Sequence, residues 1–278
     1  MSDPAFDHFC QLVRSRSGLV LTPEKAYLVN SRLTPVARAE GLAGVPALLS
    51  RRQAGAADQL IQRCVDAMAT HESFFFRDVT PFDQLAQTIL PQMVASRGAT
   101  QRSLRIWCAA CSSGQEPYSV AMVLQEFIAL SGWRLEIVAT DMSDPILAKA
   151  RSGLYSDFEA RRGLSESRLK RWFKPEGHSW RIDPSLQQMV SFRSHNLLHG
   201  VAGMGQFDII MCRNVLIYFD VDQKRAILSD LARSMPGDGC LFLGSAETVI
   251  GLTTEFELTP GARGLYRRVG AAALARSA

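Results

Sequence analysis

The stretch LRIWCAACSSGQEPYSVAMVLQ, residues 104–125, decides the reading of the fold. It begins as a short apolar run, LRIWCA (104–109), flanked by charge. Small residues and Gly114 then break the run, and from about Pro117 to Leu130 the apolar spacing becomes helical. Strand, turn and helix in that order make the first half of a βαβ unit. The change of period recurs downstream. LEIVAT (135–140) is a second run, closed by Asp141 and followed by Ser143, Asp144 and Pro145, a helix start with serine at the N-cap and proline in the first turn. FDIIMC (207–212) is a third run, with a helix expected from about Val221 to Met235, and CLFLG (240–244) is a fourth. Strands alternating with helices at this spacing predict a parallel, doubly wound α/β sheet. FEL (256–258) and GLYRRV (264–269), joined by Thr259, Pro260 and Gly261, predict a terminal hairpin.

Upstream, the pattern is helical throughout. Phe6, Phe9, Leu12 and Val13 recur at helical spacing, as do Leu28, Leu33 and Val36. Leu60, Ile61, Cys64 and Met68 predict another helix, and Phe82 to Met93 a further one. SRGATQR (96–102) is polar and aperiodic, so the boundary is expected there: a helical domain over 1–95 and the α/β domain over 96–278. Residues 155–195 interrupt the strand–helix alternation with a charged stretch containing Pro175, Gly177 and Pro184. With candidate strands SWRI (179–182) and MVSFRS (189–194), they predict a small inserted β-subdomain at about 160–195. The Ala-rich end, 271–278, is expected to fray.

Composition narrows the class. A chain of 278 residues with 47% hydrophobic and 21% charged residues has ample core and is not a disordered sequence. A net charge of +4 is too slight for a nucleic-acid binder, whose basic stripe dominates its domain. The start, MSDPAFDHFCQLVRSRSG, lacks a basic leader followed by an apolar run, so no secretory signal is expected. No stretch approaches ~18 consecutive apolar residues, so no membrane insertion is expected either. Cys10, Cys64, Cys108, Cys111, Cys212 and Cys240 are scattered through a chain that needs no staples, which predicts reduced thiols and a cytoplasmic location.

Open parallel sheets bind ligands beyond the carboxyl ends of their strands. The loop from Ala109 to Glu116 holds that place after the first run, and Asp141, 27 residues after Gly114, holds it after the second. A carboxylate there can accept hydrogen bonds from both ribose hydroxyls. AACSSGQE has only Gly114, so the glycines that cradle a pyrophosphate are missing and a nucleoside without one suits the loop. A structural alternative is that Asp141 simply caps a strand or helix. Cys108 and Cys111 form a CxxC with no second pair, which packing explains better than metal or redox chemistry. The five histidines show no ligand spacing, and no metal is expected. ATHESFFFRD (69–78) reads either as a buried segment between domains or as an aromatic wall with a cationic anchor, Arg77, facing the ligand.

THESFFFRD (70–78), WCAACSSGQEPYS (107–119), ATDMSDPILAKARSGLY (139–155), HNLL (195–198), FDIIMCRNVLIYFD (207–220) and LFLGSAE (241–247) occur in the order and at the separations of one family. From about residue 6 to residue 268 the chain resembles the bacterial chemotaxis receptor methyltransferases, the CheR family. The resemblance implies a Rossmann-like class I sheet that binds S-adenosylmethionine, with a helical N-terminal domain for substrate recognition. It implies methylation of glutamate side chains on the cytoplasmic methylation helices of chemoreceptors, with S-adenosylhomocysteine as product. By the same resemblance His71, Ser73, Arg77, Glu116, Asp141, Asn196, Leu197, Arg213 and Asn214 bind the cofactor. Arg77 and Tyr218 fall at catalytic positions, Tyr218 near the transferring methyl.

Three departures stand out. His71 replaces the family's usual asparagine, Gln115 replaces a glutamate, and only KPEGHS separates Phe173 from Trp180. Relatives that dock on a receptor's C-terminal pentapeptide carry a longer loop there, so pentapeptide docking is not expected. Lys25 and Arg32 are candidates for meeting the acidic methylation helix, or for an ordinary solvated face. A cofactor-binding signalling module without turnover is the other reading that the His71 departure leaves open.

Overall fold

The computed structural model describes residues 4–53, 58–98 and 101–269. The expected fraying of 271–278 lies outside them. Two compact units are present: Met1–Thr70 with Tyr218–Gln223, and His71–Ile217 with Lys224–Ala278.

The first unit is helical. Helices Pro4–Ser17, Ala26–Ala39, Val45–Gln53 and Asp58–Met68 bury one stripe each, including Phe9 and Val13, then Val29, Leu33 and Ala37, then Leu60, Cys64, Val65 and Met68. On the second helix the buried stripe runs one residue beyond the expected Leu28 and Val36, because both positions lie at the rim of the apolar face. Arg32 is not a solvated basic residue. Its guanidinium donates to the carbonyls of Met68 and Ala69 (3.1 Å to the latter) and to Thr70 Oγ1 at 3.0 Å, closing the orphan carbonyls at the end of the Asp58–Met68 helix. Lys25 Nζ lies 3.5 Å from the Val20 carbonyl. The segment Tyr218–Gln223 belongs with these helices because the Val20 amide donates to the Tyr218 carbonyl (3.4 Å) and Arg14 pairs with Asp220 (2.7 Å).

Among its described residues the second unit carries ten strands: β1 (Ser103–Ala109), β2 (Arg134–Asp141), β3 (Leu154–Ser156), β4 (Phe173–Glu176), β5 (Ser179–Ile182), β6 (Val190–Ser194), β7 (Ile209–Cys212), β8 (Cys240–Leu243), β9 (Phe256–Leu258) and β10 (Leu265–Arg268). Seven form one sheet in the order β6-β2-β1-β7-β8-β10-β9. The pairs from β6 to β8 are parallel, and β10 runs antiparallel to β8 and β9 as the expected hairpin. β1, β2, β7 and β8 coincide with the four apolar runs. Their near-continuous burial is that of strands covered on both faces.

Two boundaries differ from expectation. The units divide at Thr70/His71 and not near residue 95. Phe82, Leu85, Ile89, Leu90 and Met93 lie on the rod from Thr80 to Arg97 and join the same core as Leu104, Ile106 and the helix Gln115–Glu126. Helical spacing shows that a face is apolar without showing which core receives it. That rod has a π-turn over Leu85–Ile89 ahead of Pro91, which has no N–H to donate to the preceding turn. The second difference concerns MVSFRS. The inserted subdomain is a three-stranded sheet, β3-β5-β4, whereas β6 leaves it and pairs parallel with β2 as the edge of the main sheet. Alternation identifies a strand but not its partner.

A buried ion cluster fastens the amino ends of the parallel strands. Arg97, 9% exposed at its side chain, pairs with Asp208 and, at 2.7 Å, with Asp238, while Asp208 also accepts from the Arg105 amide at 2.7 Å. Removing one member of such a cluster leaves a charge buried without its partner. Arg97→Ala is expected to cost about 3 kcal/mol, read as a lower denaturation midpoint at unchanged slope.

Candidate functional site

β1 is the middle one of the five parallel strands. The chain builds outward through β2 to β6 on one side and then returns to lay β7 and β8 on the other. The order therefore reverses between β1 and β7, which is where an open α/β sheet offers a crevice. Register places the strand ends side by side: Cys108 opposite Met211, Ala109 opposite Thr140 and Asp141 opposite Ser194.

Backbone strain is concentrated at this edge. Among the described residues, the non-glycine positions with positive φ are Phe76 (51°), Asp78 (68°), Val79 (50°), Ala110 (54°), Ser112 (51°) and Asn214 (57°). They fall in only three segments: the FFFRDV turn, the loop after β1 and the loop after β7. Such conformations cost on the order of 1–3 kcal/mol each and persist where the surroundings over-determine them. Val79 is the most telling, since a β-branched residue is strongly disfavoured there. In the loop after β1, Gly114 has φ 91°, and an added Cβ would meet Ala150 Cβ at 3.0 Å and Tyr155 Oη at 3.1 Å. The chain can turn from strand into helix here only with glycine.

One ion network joins the three segments. The Arg213 side chain, 1% exposed, pairs with Glu116 at 2.8 Å and with Asp78 at 2.8 Å, and it donates to the Arg77 carbonyl at 2.7 Å. Among the described residues its Nε is buried without a hydrogen-bond partner. Glu116 sits in the first turn of the helix after β1, and burial pushes its carboxyl up, partly countered by Arg213. The Arg77 guanidinium donates to the Glu72 carbonyl at 2.9 Å.

A second network surrounds Asp141. Oδ2 accepts from the Ser112 amide at 2.9 Å and Oδ1 from the Ser143 amide at 3.1 Å. Ser143 is the N-cap of the helix that follows β2, with no side-chain cap bond, and its own amide donates back to Asp141. Burial raises the Asp141 carboxyl above the ordinary aspartate range, offset by these amides and by His71. His71 is held at this edge through its carbonyl, which accepts from Ser112 Oγ at 3.2 Å. Asp141 thus closes the turn after β2, and each oxygen keeps acceptor capacity for a ligand hydroxyl.

Asn196 and Leu197 follow β6 directly, next to the His195 amide, which donates to the Asp141 carbonyl at 3.0 Å. Asn196 Oδ1 accepts from the Leu198 amide, and Leu197 is buried. Asn214 leaves β7 beside Arg213. Ser73 is half-buried in the segment that carries Phe75 and Arg77. Tyr218 ends the turn Leu216–Tyr218 and falls in the helical unit.

The three phenylalanines do not form one wall. Phe75 is fully buried edge-on to Tyr155 (5.0 Å) and Phe173 (5.4 Å), so it is core. Phe76 packs on Phe82, lies under the Arg168 guanidinium at 4.0 Å, and lines a separate pocket of about 250 Å³ with Val79, Val123 and Phe127. Phe74 lies under Arg162 at 4.4 Å. Cys108 and Cys111 are buried thiols that burial holds well above the usual range, which suppresses the thiolate needed for metal or redox chemistry.

Family models match both units. The CheR methyltransferase all-alpha domain matches residues 4–69, and the CheR methyltransferase SAM binding domain matches 71–265. This chain belongs to the CheR methyltransferase family. The CheR junction coincides with the structural break at Thr70/His71. Curated relatives span nearly whole chains: "Chemotaxis protein methyltransferase Cher2" of Pseudomonas putida is 38% identical over 94% of this chain and 96% of its own. "Chemotaxis protein methyltransferase 1" of Pseudomonas aeruginosa is 39% identical over 95% and 97%, and its namesake in Vibrio cholerae 40% over 93% and 94%. The cofactor is S-adenosylmethionine, and the donor set fits it: a buried carboxylate with free acceptor capacity for a ribose diol, beside a loop without phosphate-cradling glycines. No helix among the described residues is long and apolar enough to cross a membrane.

Glu247 escaped the sequence reading, although it ends the LFLGSAE motif. Its carboxylate collects the backbone amides that follow β7, a role that depends on folded geometry and leaves no signal in residue spacing.

The raised carboxyl of Asp141 sets a pH dependence. The unfolded chain holds this proton less tightly than the folded one, so stability falls as pH rises from the ordinary aspartate value to the raised one and is level beyond it. A ribose hydroxyl that donates to this carboxylate would favour the anion, so binding would run the other way. S-adenosylhomocysteine affinity is expected to be full above the raised value and to weaken as pH falls through it. Asp141→Asn should weaken binding at neutral pH and flatten that part of the profile, as calorimetry across pH would show; an unchanged profile would refute the assignment.

Proposed function

We propose that this CheR-family enzyme transfers a methyl group from S-adenosylmethionine to glutamate side chains of chemoreceptors, forming glutamate methyl esters and S-adenosylhomocysteine. The observation that carries the reading is the pairing of a buried Asp141, each oxygen of which takes one backbone amide and keeps acceptor capacity, with the strained Arg213-held loops, in a chain 38% identical to a protein named as a chemotaxis methyltransferase. Asp141 takes the ribose hydroxyls, and Asn196 and Leu197 flank the base end. His71, Ser73, Arg77, Glu116 and Asn214 line the remainder, with Arg213 fixing Glu116 and the Arg77 carbonyl in place.

S-adenosylmethionine supplies an electrophilic sulfonium methyl group when bound. The attacking glutamate has an ordinary pKa near ~4.3 and is already ionised at neutral pH. No general base is therefore needed, and the family position of Tyr218 calls for orientation only. The Tyr218 hydroxyl donates to the incoming carboxylate and holds one oxygen in line with the methyl. Alignment of two reactants can supply on the order of 7–11 kcal/mol. Opposite charges cancel as the bond forms, so surroundings that exclude water favour the transition state. Phe75 and Phe76 contribute to this only by fixing the turn that carries Arg77.

The insert supports a receptor interaction without a tether. β4 and β5 are joined by Gly177 and His178, a turn shorter than the loop expected of tether-dependent relatives, which favours this reading. The test is methyl transfer to receptor cytoplasmic fragments with and without a C-terminal pentapeptide, read as base-labile label. Equal turnover on both fragments is expected, with Tyr218→Phe reducing kcat by about tenfold or more, equivalent to ~1.4 kcal/mol. No base-labile ester on any fragment would overturn the function. Full turnover by Tyr218→Phe would overturn the role of its hydroxyl, and turnover only on the tethered fragment the independence.

A further inference from the structure

The segment after β7 carries Arg213, Asn214 and, at its end, Tyr218, and its backbone amides do not join the sheet. They converge on one carboxylate from the loop after β8. Glu247, 8% exposed, accepts at Oε2 from the amides of Gly244 (2.7 Å) and Asn214 (2.7 Å). At Oε1 it accepts from Val215 (2.8 Å), Leu216 (2.7 Å) and, at longer range, Ile217 (3.4 Å). All of these groups lie in the sheet-bearing unit. Bonds from backbone amides to an ionised acceptor are the stronger kind. Glutamine could not replace it, because its amide nitrogen would face donors on whichever side it took.

Two further observations make this an interlock. Asn214 is held at φ 57°, a conformation that its neighbours must impose. Gly244 makes room for the carboxylate: a Cβ there would lie 2.8 Å from Glu247 Oε2, 2.9 Å from the Asn214 amide nitrogen and 2.7 Å from Asn214 Nδ2. Chain reversal, strained asparagine and buried acid therefore fit only together.

We infer that Glu247, seated against Gly244, is a positioning residue that sets the shape of the Arg213–Ile217 segment for methyl transfer. It touches neither substrate nor cofactor in this account and acts through the backbone it holds. The inference rests on the proposed reaction for its kinetic consequence and on the structure alone for its backbone consequence.

The test uses the full chain with Glu247→Gln and Gly244→Ala, the first turning one of the two acceptor oxygens into a donor and the second displacing the carboxylate. Amide hydrogen exchange, S-adenosylhomocysteine titration and steady-state methyl transfer are measured on each. Faster exchange is expected at residues 214–217 with β1 and β2 unchanged, and kcat should fall by about tenfold or more, equivalent to ~1.4 kcal/mol. The KM for receptor should stay within about twofold, since a residue that acts only on alignment removes transition-state and not ground-state interactions. Unchanged exchange at 214–217, or loosened amides with wild-type kcat, would overturn the inference. If one variant does not fold, the other carries the same comparison. A wild type without turnover would count against the proposed reaction, and exchange with S-adenosylhomocysteine affinity would still decide the role of Glu247.

Discussion

The carboxyl edge of the sheet depends on a single buried guanidinium. Arg213 leaves β7 and reaches an acid from the helix after β1, an acid from the FFFRDV turn and the carbonyl of Arg77. A cation with almost no exposure is tolerable only with such partners, and those partners are tolerable only with the cation. Arginine suits the place because its planar fork reaches several acceptors at once and cannot lose its charge. The strained backbone at Phe76, Asp78 and Val79 follows from the same constraint: the turn is bent so that Asp78 and the Arg77 carbonyl both face Arg213. Strain at a site of this kind is the counterpart of preorganisation, held by the fold before any ligand arrives.

Around that pin the edge is lined with buried acids in different states of satisfaction. Glu116 is paired, yet burial and the charge of Glu247 still raise its carboxyl. Asp141 is held by amides and raised by burial. Glu247 is saturated with backbone donors. The first two are suited to meeting a ligand with hydroxyl donors and positive charge, and the third to shaping the chain. A sheet edge with buried acids is a reasonable host for a sulfonium nucleoside and a poor one for phosphates, in keeping with the missing glycines after β1.

Much of this was legible in the residues. Period and length alone placed β1, β2, β7, β8 and the terminal hairpin, because strands buried on both faces read as compact apolar runs. Asp141 was legible from its place after the second run. What the sequence left open was always a choice of partner. Phe82 to Met93 read as a helix, but nothing in its spacing said that it packs with the sheet and not with the helices before it. MVSFRS read as a strand without declaring that it pairs with β2. Phe75 and Phe76 read either as a buried segment or as a wall, and folding sends one into the core and the other to a different pocket. Arg32 read as a surface charge, although it closes a helix end. Glu247 gave no signal, since its donors are backbone amides that carry no sequence identity.

The central claim is that the Arg213 network builds the cofactor site. Calorimetric titration of S-adenosylhomocysteine against wild type and Arg213→Lys tests it most directly, because lysine keeps the charge but cannot span Glu116, Asp78 and the Arg77 carbonyl together. Binding weakened by about tenfold or more, equivalent to ~1.4 kcal/mol, in a variant that still folds is the expected result. Wild-type affinity in Arg213→Lys would contradict the account.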